Sequence, residues 1–585
     1  MELKDIKSPK DIRNLSIDEL EDLCQQMRKA ILYRTSTIGG HVGPNLGAVE
    51  IITAIHYVFD TPEDKFVLDV SHQDFPHKML TGRADGFLNE ADFKNVGEYT
   101  EPRESPDFDL FYAGHTSPAL SLCTGLAKAR ELNNQSHRIV ALVGDGSLSG
   151  GMAFEGLNAG AQIKGNFVMV FNDNQMAIAP NYGGIYPRLQ ELRETNGNAD
   201  NNIFKSFGWE YVYLSEGNDI RKCIEILEKV KDTQKPIVVH VNTQKGEGYR
   251  PAEKYRESFH FSDPYDVATG HPLHSSNDPD YLTVTRDFLM EKCQTVPNLL
   301  IISSATPEDF GFYASERAKA GKHYMDVDIA EQTGVSVMAG AARGGAKVVY
   351  PIVATFMQRA YDQLIEDWAM DDSPALLPVM ESGINGINDQ THLGFWDIPF
   401  LTSMPEIVYL APTNVEEYLA MMEWGLKQDK FKVAVRIPTY SFEHANAPVD
   451  TDYSVLNKFK IMQKGSKVAL IGAGDFYPKA VKVAQLLKEQ GIEATLINPR
   501  YLSGVDEELL KSLEADHELV ATLEDGSLEG GFGQRIASAL GVSPLKVLNF
   551  GLAKQFEDRY DVAALEEKNG LLPEQIAQTI ISNLL

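Results

Sequence analysis

HRIVALVGDG (137–146) and NFVMVFNDN (166–174) are nearly continuous apolar runs that each stop on small polar residues, with the helical stretch MAFEGLNAGAQI (152–163) between them. Strands buried on both faces of a sheet read in this way, because no position along them meets water. Strand, helix and strand make a βαβ unit, whose right-handed crossover sets the two strands parallel. The alternation extends outward from this pair. KFVLDV (65–70) and KPIVVHVNT (235–243) belong to the same series. A second series comprises NLLIISSA (298–305), AKVVYPIVA (346–354), ALLPVME (375–381) and EIVYLAP (406–412), and a third KVALIGAG (467–474), EATLINPR (493–500), ELVATLED (518–525) and LKVLNFG (545–551). The expectation is an α/β protein of three domains with mainly parallel sheets, at 1–280, 281–455 and 456–585. Residues 1–35 read as a polar, helical lead-in. Residues 250–280, rich in Pro, Ser, Asp and His, read as a long connection of the kind that often carries function.

The formal net charge of −29, from 54 Lys and Arg against 83 Asp and Glu, repels phosphate backbones and anionic membrane surfaces, so nucleic acid and membrane are not expected partners. The four cysteines, Cys24, Cys123, Cys223 and Cys293, form no C-x-x-C pair, which sets aside the usual zinc and redox spacings and fits a reducing, cytoplasmic setting. The N-terminal stretch MELKDIKSPKDIRNL has no apolar core of signal-peptide type, and no apolar run reaches the roughly 18 residues of a membrane span.

The chemistry is concentrated at the two strand tips. The first ends in Gly144-Asp145-Gly146 and the second in Asn172-Asp173-Asn174. A parallel crossover can place these carboxyl ends side by side, where open α/β sheets bind ligands. Asp145 and Asn174 both offer oxygen ligands, which suit magnesium, an ion that completes its octahedron with water and phosphate oxygens. One carboxylate plus one amide makes a thin shell that a diphosphate would complete, and Gly144, Gly146, Gly150 and Gly151 let backbone N–H groups approach an anion.

Gly-Asp-Gly followed by Asn after this interval resembles the thiamine diphosphate fingerprint of the transketolase superfamily. GGHVGPNLGAVEIITAIHYVFDTPEDKFVLDVSHQDFPHKMLTGR (39–83), GDGSLSGGMAFEGLNAG (144–160), KGEGYRPAEK (245–254), DVDIAEQ (326–332) and TFMQRAYDQ (355–363) resemble the 1-deoxy-D-xylulose-5-phosphate synthase family in particular. The resemblance implies a homodimeric carboligase that binds thiamine diphosphate and Mg2+, decarboxylates pyruvate and joins the two-carbon unit to an aldehyde. It also implies a set of residue roles. Asp145, Asn174 and the carbonyl of Met176 hold the metal, and Gly144, Gly146, Ser147 and Lys245 meet the diphosphate. Glu331 activates the aminopyrimidine through its N1′, Phe356 stacks on that ring, and Ile178 wedges the cofactor into its V shape. His72 and His115 lie near the cofactor. His41, His260 and His392 line the substrate channel as proton donors and acceptors, a role suited to imidazole near neutral pH, and Arg359 meets substrate. The cofactor is expected between the first and second domains.

The sequence departs from the family's pattern on the acceptor side. Where the family has Asp-Arg-Ala-Gly, this chain reads Met380-Glu381-Ser382-Gly383; where it has Pro-Arg-Gly, this chain reads Pro438-Thr439-Tyr440. Two arginines that grip the acceptor phosphate are gone. At about 1.5–3 kcal/mol per hydrogen bond to a charged group, the loss is roughly 100- to 10,000-fold in affinity. Val353, Asn388 and Thr333 also replace a Tyr, an Asp and a His of the pattern, and the stretch from Asn174 to residue 210 is shorter. The expected acceptor is therefore not glyceraldehyde 3-phosphate, unless Arg359, Arg436 or His444 restores a phosphate grip. The competing readings are a ketose-donor transfer of transketolase type, a non-catalytic paralogue, and a nicotinamide-binding oxidoreductase. The last rests on Gly472-Ala473-Gly474 alone, and Tyr477 stands where the third glycine would be.

Overall fold

The computed structural model describes residues 1–274 and 278–584; residues 275–277 of the expected long connection, and the final residue of the expected third domain, lie outside the described residues. The chain forms two compact units, Met1–Asn277 with Asp328–Ala330, and Asp278–Val327 with Glu331–Leu585.

The first unit is built on five parallel strands: β1 (Lys65–Leu68), β2 (Ile139–Gly144), β3 (Phe167–Asp173), β4 (Glu210–Leu214) and β5 (Pro236–Asn242), in the order β1-β2-β3-β5-β4. Every residue of β3 is buried. The reason is visible in where alternate side chains go. Val140, Leu142, Val168 and Val170 pack with Leu23, Ile51, Ile55 and Leu227 from helices on one face. Ala141, Val143, Met169 and Phe171 pack with Leu120, Cys123 and Leu157 from helices on the other. Helix Ile17–Ile38 starts at a capping box, in which Ser16 and Glu19 satisfy each other's backbone N–H. Helix Ile220–Val230 starts at Asp219 and buries Ile220, Cys223, Ile224, Leu227 and Val230 along one stripe.

The second unit contains two sheets. One has seven strands, all parallel: β6 (Leu299–Ser303), β7 (Tyr324–Asp326), β8 (Lys347–Val349), β9 (Ile352–Val353), β10 (Leu376–Met380), β11 (Ile407–Leu410) and β12 (Lys432–Arg436). Their order is β11-β12-β10-β8-β6-β7, with β9 also paired to β10. The other has five strands: β13 (Lys460–Gln463), β14 (Lys467–Gly472), β15 (Thr495–Asn498), β16 (His517–Ser527) and β17 (Lys546–Leu552), in the order β13-β15-β14-β16-β17, with only β13 antiparallel. A single apolar cluster, including Leu377, Tyr409, Ile471 and Ile497, joins the two sheets. The fold is α/β with mainly parallel sheets, as the alternating apolar runs predict. Among the described residues, no helix is long and apolar enough to cross a membrane.

Candidate active site

Strands β2 and β3 run in register up to Gly144 opposite Asn172, and the Asp145 N–H donates to the Asn172 carbonyl at 3.1 Å. The chain then turns tightly. Gln175 adopts a left-handed backbone, φ 67°, which folds the 174–176 loop over Asp145. The Asp145 Oδ2 accepts hydrogen bonds from the Met176 N–H and from Asn181 Nδ2, both at 2.9 Å. Asn181 carries no signal in the sequence that would single it out. Gly146 is required by space: a Cβ there would lie 2.8 Å from the Ala177 Cβ. Ser147 offers its carbonyl to the Ser117 hydroxyl at 3.0 Å.

Asp145 is 1% exposed. Burial pushes its carboxyl up to about 8, with the charge of Asp173 adding to the effect. Asp173 itself is engaged elsewhere. It is bonded by His240 at 2.9 Å and by Arg193, and these partners overcome the effect of burial and hold its carboxyl below the usual carboxylate range. Asn174 Oδ1 is buried and accepts no hydrogen bond. An acidic group that resists ionising and an orphaned amide oxygen, on neighbouring strand tips, are the donor set that a hard divalent cation satisfies. Among the described residues no cluster of three or more His, Cys, Asp or Glu side chains could hold a metal, so a shell built on Asp145 and Asn174 needs further oxygens from the backbone and a ligand.

Ile178 is half-buried in the same loop. The neighbouring Ala177 carbonyl accepts from the Lys245 ammonium at 2.7 Å. Lys245 is 1% exposed and follows β5, so both ends of this contact come from strand tips of one sheet. The segment Asp328–Ala330 closes the loop from another direction: Asp328 Oδ2 accepts from the Tyr182 N–H, and the Ile329 N–H donates to Ser149 Oγ, both at 3.1 Å.

Three of the predicted histidines come together. The rings of His41, His72 and His260 lie 5.1–5.4 Å apart pairwise. A two-residue ribbon, Gly40–His41 against Phe261–Ser262, brings His260 to His41 across most of the first unit's sequence. Asn45 Nδ2 donates to the carbonyls of both His41 and His72, at 2.8 and 2.9 Å, and clamps those loops together. Glu98 was not legible as a site residue, yet its carboxylate meets His41 Nδ1 at 3.1 Å and Arg34 at 3.1 Å. Burial alone would raise the Glu98 carboxyl; the bond from His41 and the Arg34 charge hold it below its ordinary range. Burial also keeps His72 and His260 well below the ordinary imidazole range, with Lys245 and the neighbouring histidines contributing. His72 Nδ1 accepts no hydrogen bond, and His260 Nδ1 lies 3.1 Å from the Lys245 ammonium. His115 is half-buried in the loop before Ser117.

In the second unit, Glu331 opens helix Glu331–Arg343 and is 2% exposed. Its Oε2 accepts no hydrogen bond and faces Arg359 at 3.5 Å. Burial raises the carboxyl, and the Arg359 charge opposes this. Phe356 follows β9, and its ring meets that of His392 edge-on, with centroids 5.6 Å apart. His392 Nδ1 is 2.8 Å from Thr391 Oγ1.

Of the side chains offered as a replacement phosphate grip, Arg436 is excluded. Its guanidinium, 4% exposed, is spent on Asp397 and Asp525 at 2.7 and 2.5 Å, a buried balance that leaves no charge for a ligand. His444 is also taken, by Glu416 at 2.7 Å on the surface.

Three family descriptions match the chain: 1-deoxy-D-xylulose-5-phosphate synthase over residues 3–201 and 195–243, the transketolase pyrimidine binding domain over 278–442, and the transketolase C-terminal domain over 457–576. A 1-deoxy-D-xylulose-5-phosphate synthase of Natranaerobius thermophilus is 33% identical, over 95% of this chain and 92% of its own length. One of Symbiobacterium thermophilum is 35% identical, over 100% of this chain and 95% of its own length. Among solved structures, a transketolase of Campylobacter jejuni is 16% identical, with a TM-score of 0.43 over 97% of this chain and 100% of its own.

Proposed function

Because the chain belongs to the 1-deoxy-D-xylulose-5-phosphate synthase family of transketolase-like transferases, we propose that it decarboxylates pyruvate and joins the two-carbon unit to an aldehyde other than glyceraldehyde 3-phosphate, using thiamine diphosphate and Mg2+. The observation that carries the reading is the Asp145–Met176 turn with the orphaned amide oxygen of Asn174. Thiamine diphosphate supplies the acidic carbon on which donor cleavage and carbon–carbon bond formation depend.

The chain's own residues bind, orient and move protons. Asp145, Asn174 and the Met176 carbonyl would hold Mg2+, while Gly144, Gly146, Ser147 and Lys245 would meet the diphosphate. Glu331, buried and with an unbonded oxygen, would hold a proton against the pyrimidine nitrogen; Phe356 would stack on that ring and Ile178 brace the cofactor. His72 and His115 would lie beside the cofactor. His260, kept neutral by burial, would accept a proton from a substrate hydroxyl, with His41, anchored by Glu98, and His392 beside other substrate oxygens. Arg359 would meet the donor carboxylate. The family descriptions' spans support domains at 1–280, 281–455 and 456–585, four free cysteines fit the cytoplasm, and the homodimer is carried over from the family resemblance.

The test is release of carbon dioxide from pyruvate with thiamine diphosphate and Mg2+, followed by a screen of phosphorylated and unphosphorylated aldehydes with the product mass read out. A micromolar Michaelis constant for glyceraldehyde 3-phosphate refutes the changed acceptor. Absence of carbon dioxide release, with no coenzyme binding by calorimetry, refutes the reading as a whole and favours a non-catalytic paralogue.

A further inference from the structure

Strands β9, β10 and β12 are neighbours in one parallel sheet, so their carboxyl ends open on one side, where such sheets bind ligands. Phe356 leaves the first of these ends, Glu381 and Ser382 the second, and Thr439 the third. The loop after β10 returns at Gly394, whose carbonyl accepts from the Gly383 N–H at 2.9 Å, and that loop carries His392, the ring partner of Phe356. Glu381 and Thr439 are therefore part of the same strand-end surface as the Phe356–His392 pair.

That surface is acidic, and the donors of Thr439, at the third strand end, are consumed. The Thr439 N–H donates to Asp475 Oδ2 at 2.8 Å, and its hydroxyl lies 3.1 Å from the same oxygen and 3.2 Å from the Ser382 carbonyl. Asp475 is 5% exposed and comes from the end of β14 in the adjoining sheet. Burial, with the charge of Asp525, pushes its carboxyl up to about 7. Asp525 Oδ2 is fully buried, accepts no hydrogen bond, and is turned toward Gly383, where a Cβ would sit 1.8 Å from it. The Glu381 side chain has no hydrogen bond or ion pair among the described residues, and burial raises its carboxyl. The cations nearby are already used: Arg436 by Asp397 and Asp525, and Lys479 by Glu566.

We propose that Glu381 and Asp475 determine acceptor specificity, selecting an aldehyde whose far end donates hydrogen bonds, through hydroxyl or ammonium groups, over one that ends in a phosphate. The proposal rests on the function assigned above and names the substrate class of that site. The Glu381 carboxyl, with no hydrogen bond or ion pair among the described residues, and the Asp475 carboxyl behind Thr439 accept hydrogen bonds and, when ionised, repel phosphate, while the Thr439 N–H and the Arg436 guanidinium are already engaged and do not offset the repulsion.

The test compares D-glyceraldehyde, an aminoaldehyde and glyceraldehyde 3-phosphate as acceptors, with pyruvate, thiamine diphosphate and Mg2+. The result expected of the unmodified protein is a KM for the phosphate ester about tenfold or more above that of the better unphosphorylated aldehyde. Preference for the aminoaldehyde identifies ammonium as the group read, and preference for D-glyceraldehyde identifies hydroxyls. Assayed at pH 8, above the Asp475 titration at about 7, Glu381→Gln and Asp475→Asn lower the KM for the phosphate ester about tenfold per charge removed, the equivalent of about 1.4 kcal/mol, while that for the preferred aldehyde rises. The same ratios are read as dissociation constants by calorimetry on coenzyme-loaded protein, which separates this proposal from a failure of turnover. Should Asp475→Asn not fold, Glu381→Gln carries the test, because the Glu381 side chain makes no hydrogen bond or ion pair among the described residues. A phosphate ester bound as tightly as D-glyceraldehyde, or a preference that neither substitution moves, overturns the proposal.

Discussion

The Lys245 ammonium donates to the Ala177 carbonyl at 2.7 Å, which ties the end of β5 to the loop that folds over Asp145. A lysine held 1% exposed in this position places a fixed positive charge beside the proposed diphosphate. Lys245→Met is expected to weaken thiamine diphosphate binding by roughly 10- to 100-fold, the loss of one hydrogen bond to a charged group at about 1.5–3 kcal/mol. Calorimetric titration checks this, and an unchanged affinity would place the diphosphate elsewhere.

Asn174→Ala removes the orphaned amide oxygen without disturbing any hydrogen bond that oxygen makes, since it makes none. Thermal stability without coenzyme should stay within about 0.5 kcal/mol, as for a substitution that breaks no contact, while the Mg2+ concentration giving half-maximal activity rises at least about tenfold. Equal loss of stability and of metal response would instead mark Asn174 as structural.

Gly334 lies one turn beyond Glu331, and a Cβ there would approach the Tyr350 hydroxyl oxygen to 2.5 Å. Gly334→Ala therefore forces Tyr350 or the helix to move, at a cost of about 1–3 kcal/mol. The expected result is a lower melting temperature together with reduced turnover, because Glu331 heads the displaced helix. Glu331→Gln should behave differently: turnover falls about 100- to 10,000-fold, with metal affinity and melting temperature nearly unchanged.

Asp475 gives stability a pH dependence. Its folded carboxyl titrates at about 7, above the ordinary 3.9 of an unfolded aspartate, so the folded state keeps the proton over a range where the unfolded state has lost it. The contribution is complete below about pH 4 and is lost as pH rises through about 7, at a slope of at most about 1.4 kcal/mol per pH unit. Asp475→Asn keeps an oxygen for the Thr439 N–H and removes the titration. Melting curves at pH 5 and pH 8 should lie closer together in the variant; equal spacing would show that Asp475 ionises freely in the folded protein.

Much of the fold was legible because a two-sided strand has no choice of residues. VALI in β14 and FVMVF in β3 are apolar throughout, and each run ends where the small or polar residues of the strand tip begin. β4, EYVYL, was harder to read: it lies at a sheet edge and is only half-buried, so it lacks an unbroken apolar run. The site divides in the same way. Asp145 and Asn174 stand at strand ends, which sequence can locate. Glu98, Asn45 and Asp475 act through long-range contacts, 57 residues away in the case of Glu98 and His41, and no local pattern announces a partner at that distance. Arg436 shows the converse error: a conspicuous cation in the right region proved to be buried between two carboxylates.

The ribbon that pairs His41 with Phe261 closes a ring of some 220 residues. Closure of so large a ring is only modestly dearer in entropy than that of a short one, but it must wait for the far end to exist. During synthesis at about 5–20 residues per second, the first histidine emerges roughly 10–40 s before its companion at position 260. A nascent chain can thus complete β1 to β5 while its histidine group is still unformed, which delays proton-transfer competence to the closing moments of the first unit's assembly.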